Sequence, residues 1–216
     1  MSQPFHFYSE RRLVSLTGRT ARSLTELRAH LGEVSGSSIF YHTHHQYLSH
    51  QFGATVLEDD FAAWISRSLL EAQLAEKISA IDPLRFASIR QMRNAIAAAI
   101  DRHLADSPPS RDCVPGDEFH FCESQSFILP AGMTAHSVEE FAACLARASL
   151  TSLYFHFFEA RLRLERPAND FSQWFRHIGE EDLALEIDRI YPYGIPLERL
   201  RGRILDTIAV RMEVRR

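Results

Sequence analysis

No run of apolar residues approaches the roughly 20 that a membrane-spanning helix requires. The N-terminus, Met1-Ser2-Gln3-Pro4-Phe5-His6, lacks a charged head followed by an apolar stretch, which argues against a secretory signal. Cysteine is scarce. Cys113, Cys122 and Cys144 form no CxxC pair, so neither a disulfide framework nor a cysteine zinc site is expected. Reduced thiols used for packing fit a cytoplasmic protein. Glycine is limited to nine residues, and GxGxxG, P-loop and GxSxG motifs are absent. Nucleotide binding through a glycine-rich loop and α/β-hydrolase chemistry therefore have no basis here. Neither sign of charge dominates: the net charge is −4 and the pI about 6.3, so nucleic acid is not the expected partner. Arginines gather near both ends, but Glu198, Asp206 and Glu213 interrupt the C-terminal group, as on a solvated helix face.

What remains is an ordinary globular composition, 45% hydrophobic and 24% charged over 216 residues. Its most informative feature is internal. Residues 5–42 recur at 119–156, shifted by 114 without a gap, and 13 of the 38 positions are identical. Asp60-Phe61-Ala62-Ala63-Trp64 is answered by Asp170-Phe171-Ser172-Gln173-Trp174, and Arg93, Ile96 and Ile100 by Arg201, Ile204 and Ile208. The spacing predicts two copies, 4–105 and 118–213, joined by a linker over 106–117 whose prolines and glycine suit the surface.

Each copy reads as helix. Ser23-x-x-Glu26 and Ser137-x-x-Glu140 are capping boxes, followed by apolar residues at helical spacing. Asp60 and Asp170 stand at the usual N-cap position of short helices that carry Trp64 and Trp174. Gly18 and Gly132 suit turns with positive φ. The Phe-His-Phe starts amount at most to short extended segments. The fold expected is all-α, a tandem duplication of a ~100-residue helical unit closing about a pseudo-twofold axis into one compact body.

A polar residue kept in both copies has been retained twice, which leaves His6/His120, Ser38/Ser152, His42/His156 and Arg93/Arg201. Histidines among Phe5, Phe7, Ile39, Phe40 and Tyr41 are at least partly buried, and each ring nitrogen then needs a partner. One reading is a hydrogen bond from one ring nitrogen to a backbone carbonyl in each copy, stabilising the fold twice. Another is convergence on a ligand or metal. His42 and His45 share a helix face, with His156 and Glu159 at the matching positions of copy two. Face to face, His42, His45, His156 and Glu159 would suit a divalent transition metal such as zinc, iron or manganese. The polar set His42, His44, His45, Tyr47 and His50 makes copy one the better binding candidate, and Arg161 offers copy two an anion contact.

The string Phe5-His6-Phe7-Tyr8, Leu16-Thr17-Gly18-Arg19-Thr20-Ala21, Ser38-Ile39-Phe40-Tyr41-His42-Thr43-His44 and Asp60-Phe61-Ala62-Ala63-Trp64 resembles a bacterial and archaeal family of domains of unknown function. The resemblance covers nearly the whole chain. Asn169-Asp170-Phe171 keeps the family's Asn-Asp-Phe, whereas Asp59-Asp60-Phe61 departs from it in copy one. No activity comes with it, so no functional residue is carried over.

Three functions stay open. The first is a cytoplasmic binding or accessory protein that holds a small molecule or protein partner at a histidine-rich interface of the two copies, with His6, His42, His44, His45, Tyr47, His120, His156 and Arg161 as candidate contacts. The second is a metal-dependent enzyme using His42, His45, His156 and Glu159. The third is a structural interaction protein, monomeric or homodimeric, whose histidines are satisfied core residues.

Overall fold

In the computed structural model of the chain, residues 3–44, 59–82, 85–86, 88–106, 111–160, 168–192 and 195–214 are described. Two long strands overturn the all-α expectation. β1 (Phe5–Ala21) and β2 (Phe119–Ala135), 17 residues each, pair as an antiparallel two-stranded sheet, so the fold is α+β, although mostly helical. At the strand starts Phe5, Phe7, Phe119 and Phe121 are buried while His6 and His120 are exposed. That is the two-residue alternation of a half-buried strand, and it turns both histidines outward rather than into the core. Further along, residues 13–16 and 127–130 are exposed on both faces, and Leu13, Leu16, Phe127 and Ile128 all meet solvent. A strand segment with no buried face carries no period-two signal, which is why these strands look featureless in sequence. Pro130 is tolerated because each strand of a two-stranded sheet has an unpaired edge. Gly18 and Gly132 do take positive φ, 78° and 69°, but inside the strands rather than in turns.

The described chain divides into two compact units. Unit A is built mainly from Arg12–Ser49 and Val56–Gln125, and unit B mainly from Met1–Arg11 and Ser126–Arg216. Each strand thus begins in one unit and ends in the other. The unit to be considered is therefore not a run of helices alone, which corrects the expected purely helical repeat.

Unit A contains α1 (Leu24–Glu33), α2 (Gly36–His44), α3 (Asp60–Ser68), α4 (Ala72–Ser79) and α5 (Ile89–Asp106). Leu24, Leu27 and Leu31 of α1 pack with Phe61 and Ile65 of α3, Ile96 and Ile100 of α5, and Phe119 and Phe121 of β2. Ser23 Oγ caps α1 by accepting from Glu26 N at 3.3 Å. The Glu26 carboxylate accepts from Arg22 N at 2.7 Å, one residue earlier than a standard capping box would place it. Trp64 is buried, and its indole N–H donates to the Asp117 carbonyl at 2.6 Å.

Unit B contains α6 (Val138–Arg147), α7 (Leu150–Tyr154), a π-helical turn (Phe155–Glu159), α8 (Asp170–His177), α9 (Glu181–Asp188) and α10 (Leu197–Val214). Phe5 and Phe7 pack against Phe141 at 5.2 and 5.3 Å between ring centroids. Trp174 stacks on Phe141 at 5.3 Å and donates to the Gln3 carbonyl at 2.9 Å. Leu197, Leu200, Ile204 and Ile208 line the buried side of α10, the stripe their spacing predicts.

The expected N-caps shift by one residue. Asp59, not Asp60, caps α3 by accepting from Ala62 N at 2.7 Å, and Asn169, not Asp170, caps α8 by accepting from Ser172 N at 2.9 Å. Asp60 and Asp170 are therefore the first helical residues rather than the caps. Asn169→Ala should lower the unfolding free energy by about 1 kcal/mol. Urea unfolding checks this, and a change below a few tenths would reject the cap assignment.

Candidate functional site

His156, 2% exposed, uses both ring nitrogens. Its Nδ1 lies 2.8 Å from Asp170 Oδ2, and its Nε2 lies 2.8 Å from the backbone nitrogen of Tyr8. A backbone N–H can only donate, so Nε2 accepts and the ring proton sits on Nδ1, donated to the carboxylate. The imidazole is neutral in this arrangement, with its one proton directed at Asp170. One turn earlier Ser152 Oγ donates to the Tyr8 carbonyl at 2.6 Å. Ser152 and His156 together hold both main-chain groups of one strand residue, and Asp170 fixes the tautomer that makes this possible.

Unit A has the same arrangement. His42, 3% exposed, has Nδ1 2.8 Å from Asp60 Oδ2 and accepts from Cys122 N through Nε2 at 2.8 Å. The match is incomplete, because the buried Ser38 hydroxyl has no hydrogen-bond partner. The repeated arginines also have local explanations. Arg93 donates to the Val34 carbonyl at 2.7 Å and Arg201 to the Ala146 carbonyl at 3.2 Å, at the C-terminal ends of α1 and α6. Helix C-termini present unpaired carbonyls and partial negative charge, which a guanidinium satisfies.

His44 is 1% exposed and stacks on Phe40 at 4.8 Å, with Thr43 Oγ1 2.7 Å from its Nδ1. Burial, with the Arg12 guanidinium adding to it, pushes its pKa down to about 3. Arg12 itself lies over the Phe40 ring at 5.0 Å. His44 is therefore a neutral packing residue at physiological pH. Burial, reinforced by Asp60, raises the pKa of the Cys122 thiol, so it is no activated nucleophile.

The described histidines do not assemble as a metal centre. His42 and His156 have committed both ring nitrogens, and no three His, Cys, Asp or Glu residues among the described ones are grouped to hold a metal ion. His45, Tyr47, His50 and Arg161 lie outside the described residues. Glu159 ends the π-helical turn, and the exposed His120 offers its carbonyl to the Cys122 thiol at 3.8 Å.

One cavity does gather candidate residues. In unit B, a space of about 540 Å³ is bounded by Phe155 and His156 of the π-helical turn, by His6 and Tyr8 of β1, and by one face of α8. That face consists of Asp170, Gln173, Trp174 and His177, spaced i, i+3, i+4 and i+7. Phe5, Ile128, Gln3 and Pro4 complete the lining. The His6 Nδ1 lies 3.2 Å from Thr134 Oγ1. Gln173 and His177 stand out in no motif of the sequence, although their helical spacing from Asp170 places all three on one face. Carrying the π-helical turn on the cavity wall is notable because such turns concentrate at functional sites.

Residues 2–209 match a family of unknown function, DUF5752. The chain belongs to that family. Among solved structures, this DUF5752 chain is similar to OrfY from Thermoproteus tenax, with a TM-score of 0.83 and 26% identity, over 96% of this chain and 95% of that one. No curated protein matches it. No helix among the described residues is long and apolar enough to cross a membrane.

Proposed function

We propose that this DUF5752 protein is a binding or accessory protein that holds a small molecule in the unit B cavity. The observation that carries the reading is the cavity itself: about 540 Å³, walled by aromatic rings, with a few polar groups of fixed orientation. Small-molecule sites have that size and that mixture. The histidine chemistry favours binding over catalysis, since His156 spends its acceptor nitrogen on Tyr8 N–H and has none left to take a proton from a substrate. The three free cysteines fit action in the reducing cytoplasm. The paired His–Asp–backbone arrangements at positions related by the sequence shift support two tandem copies, of which the second would carry the ligand.

A thermal-shift screen with small cationic, neutral and anionic metabolites tests this. A ligand present at 100 times its Kd adds about 2.7 kcal/mol to stability and raises Tm accordingly. Gln173→Trp should abolish the shift, because Gln173 is exposed on the cavity wall and the larger ring fills the space without touching the core. The reading fails if no compound raises Tm, or if the Gln173→Trp protein responds as strongly as wild type.

A further inference from the structure

We infer that unit A holds a site of its own, a cleft between α4 and α5 that takes a small amphipathic carboxylate. The apolar body of such a ligand lies on Ile81 and Phe86, and its anionic end among Lys77, Arg85 and Arg102. A space of about 660 Å³ opens there, within the range of small-molecule sites. Its floor is the rim of the unit A core: Ile81 and Phe86 are partly buried against the core cluster, and Ala99 belongs to that cluster. Ala95, Ala98 and Ala99 share one face of α5, where a single methyl at each position leaves the room open. By the shift of 108 that relates Arg93 to Arg201, the matching positions of α10 carry Arg203, Asp206 and Thr207. All three are larger than alanine, so the likeness of the two stretches does not extend to this face.

The charges of the lining select the ligand class. Lys77 comes from α4, Arg102 from α5 and Arg85 from the segment between them. None of these three cations makes an ion pair among the described residues. Arg102 spends its Nε on the Ala98 carbonyl at 3.1 Å, which leaves its two Nη groups for a ligand. His103 is engaged, with Nε2 3.1 Å from a Glu71 carboxylate oxygen. Among the described residues of the lining, Asp82 and Asp106 are the carboxylates, so three cations face two acids. That balance suits a single negative charge rather than a dianion. A fully hydrophilic anion would leave the floor of Ile81 and Phe86 in water. A neutral apolar molecule would strip water from the charged rim without pairing it. A guanidinium binds a carboxylate through two parallel N–H groups, which gives the anionic end a fixed orientation.

Octanoate, its uncharged counterpart octanamide and the short anion acetate are each titrated into the full-length protein labelled with ¹³C at the alanine methyls. Octanoate should shift the Ala95, Ala98 and Ala99 methyl signals and bind more tightly than either of the other two. Its binding should weaken as NaCl rises, and should fall about two- to fivefold in Arg102→Gln and again in Lys77→Gln. Ala98→Trp should fill the cleft and abolish the shifts at Ala95 and Ala99. Residues 77, 98 and 102 are exposed, so these variants leave the core intact. Gln173→Trp, in unit B, should bind octanoate as wild type does. Octanamide binding as tightly as octanoate overturns the anionic class, and acetate doing so overturns the amphipathic one. Octanoate that binds nowhere, that still binds Ala98→Trp, or that is lost from Gln173→Trp overturns the site. The cleft shares no residue with the unit B cavity, so either reading can fail without the other.

Discussion

His156→Ala is expected to lower the unfolding free energy of the protein by about 4 kcal/mol, the sum of a buried donor left unsatisfied, a charge-assisted bond lost and a cavity opened. The ring receives Tyr8 N–H at 2.8 Å and gives its Nδ1 proton to Asp170 at 2.8 Å. It also packs against Phe5 at 4.9 Å and Phe171 at 5.6 Å, so alanine leaves a void among rings that cannot collapse onto it. Asp170→Asn should cost much less, about 1 kcal/mol, because an amide oxygen still accepts the Nδ1 proton and only the charge assistance disappears. Urea unfolding would show the His156→Ala midpoint falling with little change in slope. A His156→Ala protein within 1 kcal/mol of wild type would mean that the ring does not clamp the strand.

The second large effect depends on acid. His44 has a folded pKa of about 3, below the ordinary 6.5, because burial and Arg12 disfavour its cation. Between those two values the unfolded chain binds a proton that the folded protein refuses, so stability is complete above pH 6.5 and is lost as pH falls toward 3. At pH 4.5 this one group removes about 2–3 kcal/mol. His44→Phe should abolish that contribution. Phenylalanine is what the chain carries at residue 158, which stacks on Tyr154 at 5.1 Å much as His44 stacks on Phe40. The measurement is unfolding free energy against pH for both proteins. Curves that stay parallel from pH 7 to 4.5 would show that His44 is protonated in the folded state.

These two histidines mark how far the sequence could be read. His42 and His156 stand out because they occupy matching positions of the recurring stretches, but the bond to a backbone carbonyl that their burial suggested is not what forms: each ring accepts from a backbone N–H and gives its proton to an aspartate. What could not be read was which backbone. The acceptor nitrogens reach Tyr8 and Cys122, strand residues 148 and 80 positions away. Asp60 and Asp170 were misassigned as caps because Asp59 and Asn169, one residue earlier, cap equally well, and only the position of the imidazole tells the two apart. The i, i+3 spacing behind the metal set brings side chains to one helix face but does not reveal that the lone pairs of His42 and His156 are already taken.

Composition and periodicity by themselves determined the helices, their apolar stripes and the left-handed glycines, because each follows from interactions among residues a few positions apart. The recurrence of residues 5–42 at 119–156, likewise, is visible on comparing the chain with itself. The tertiary structure alone decided that Phe5–Arg11 completes a unit made of residues beyond 126, and that an aromatic cavity lies beside His156. Strand pairing and cavity walls join residues more than a hundred positions apart, and no local pattern encodes which distant surface a strand end will meet.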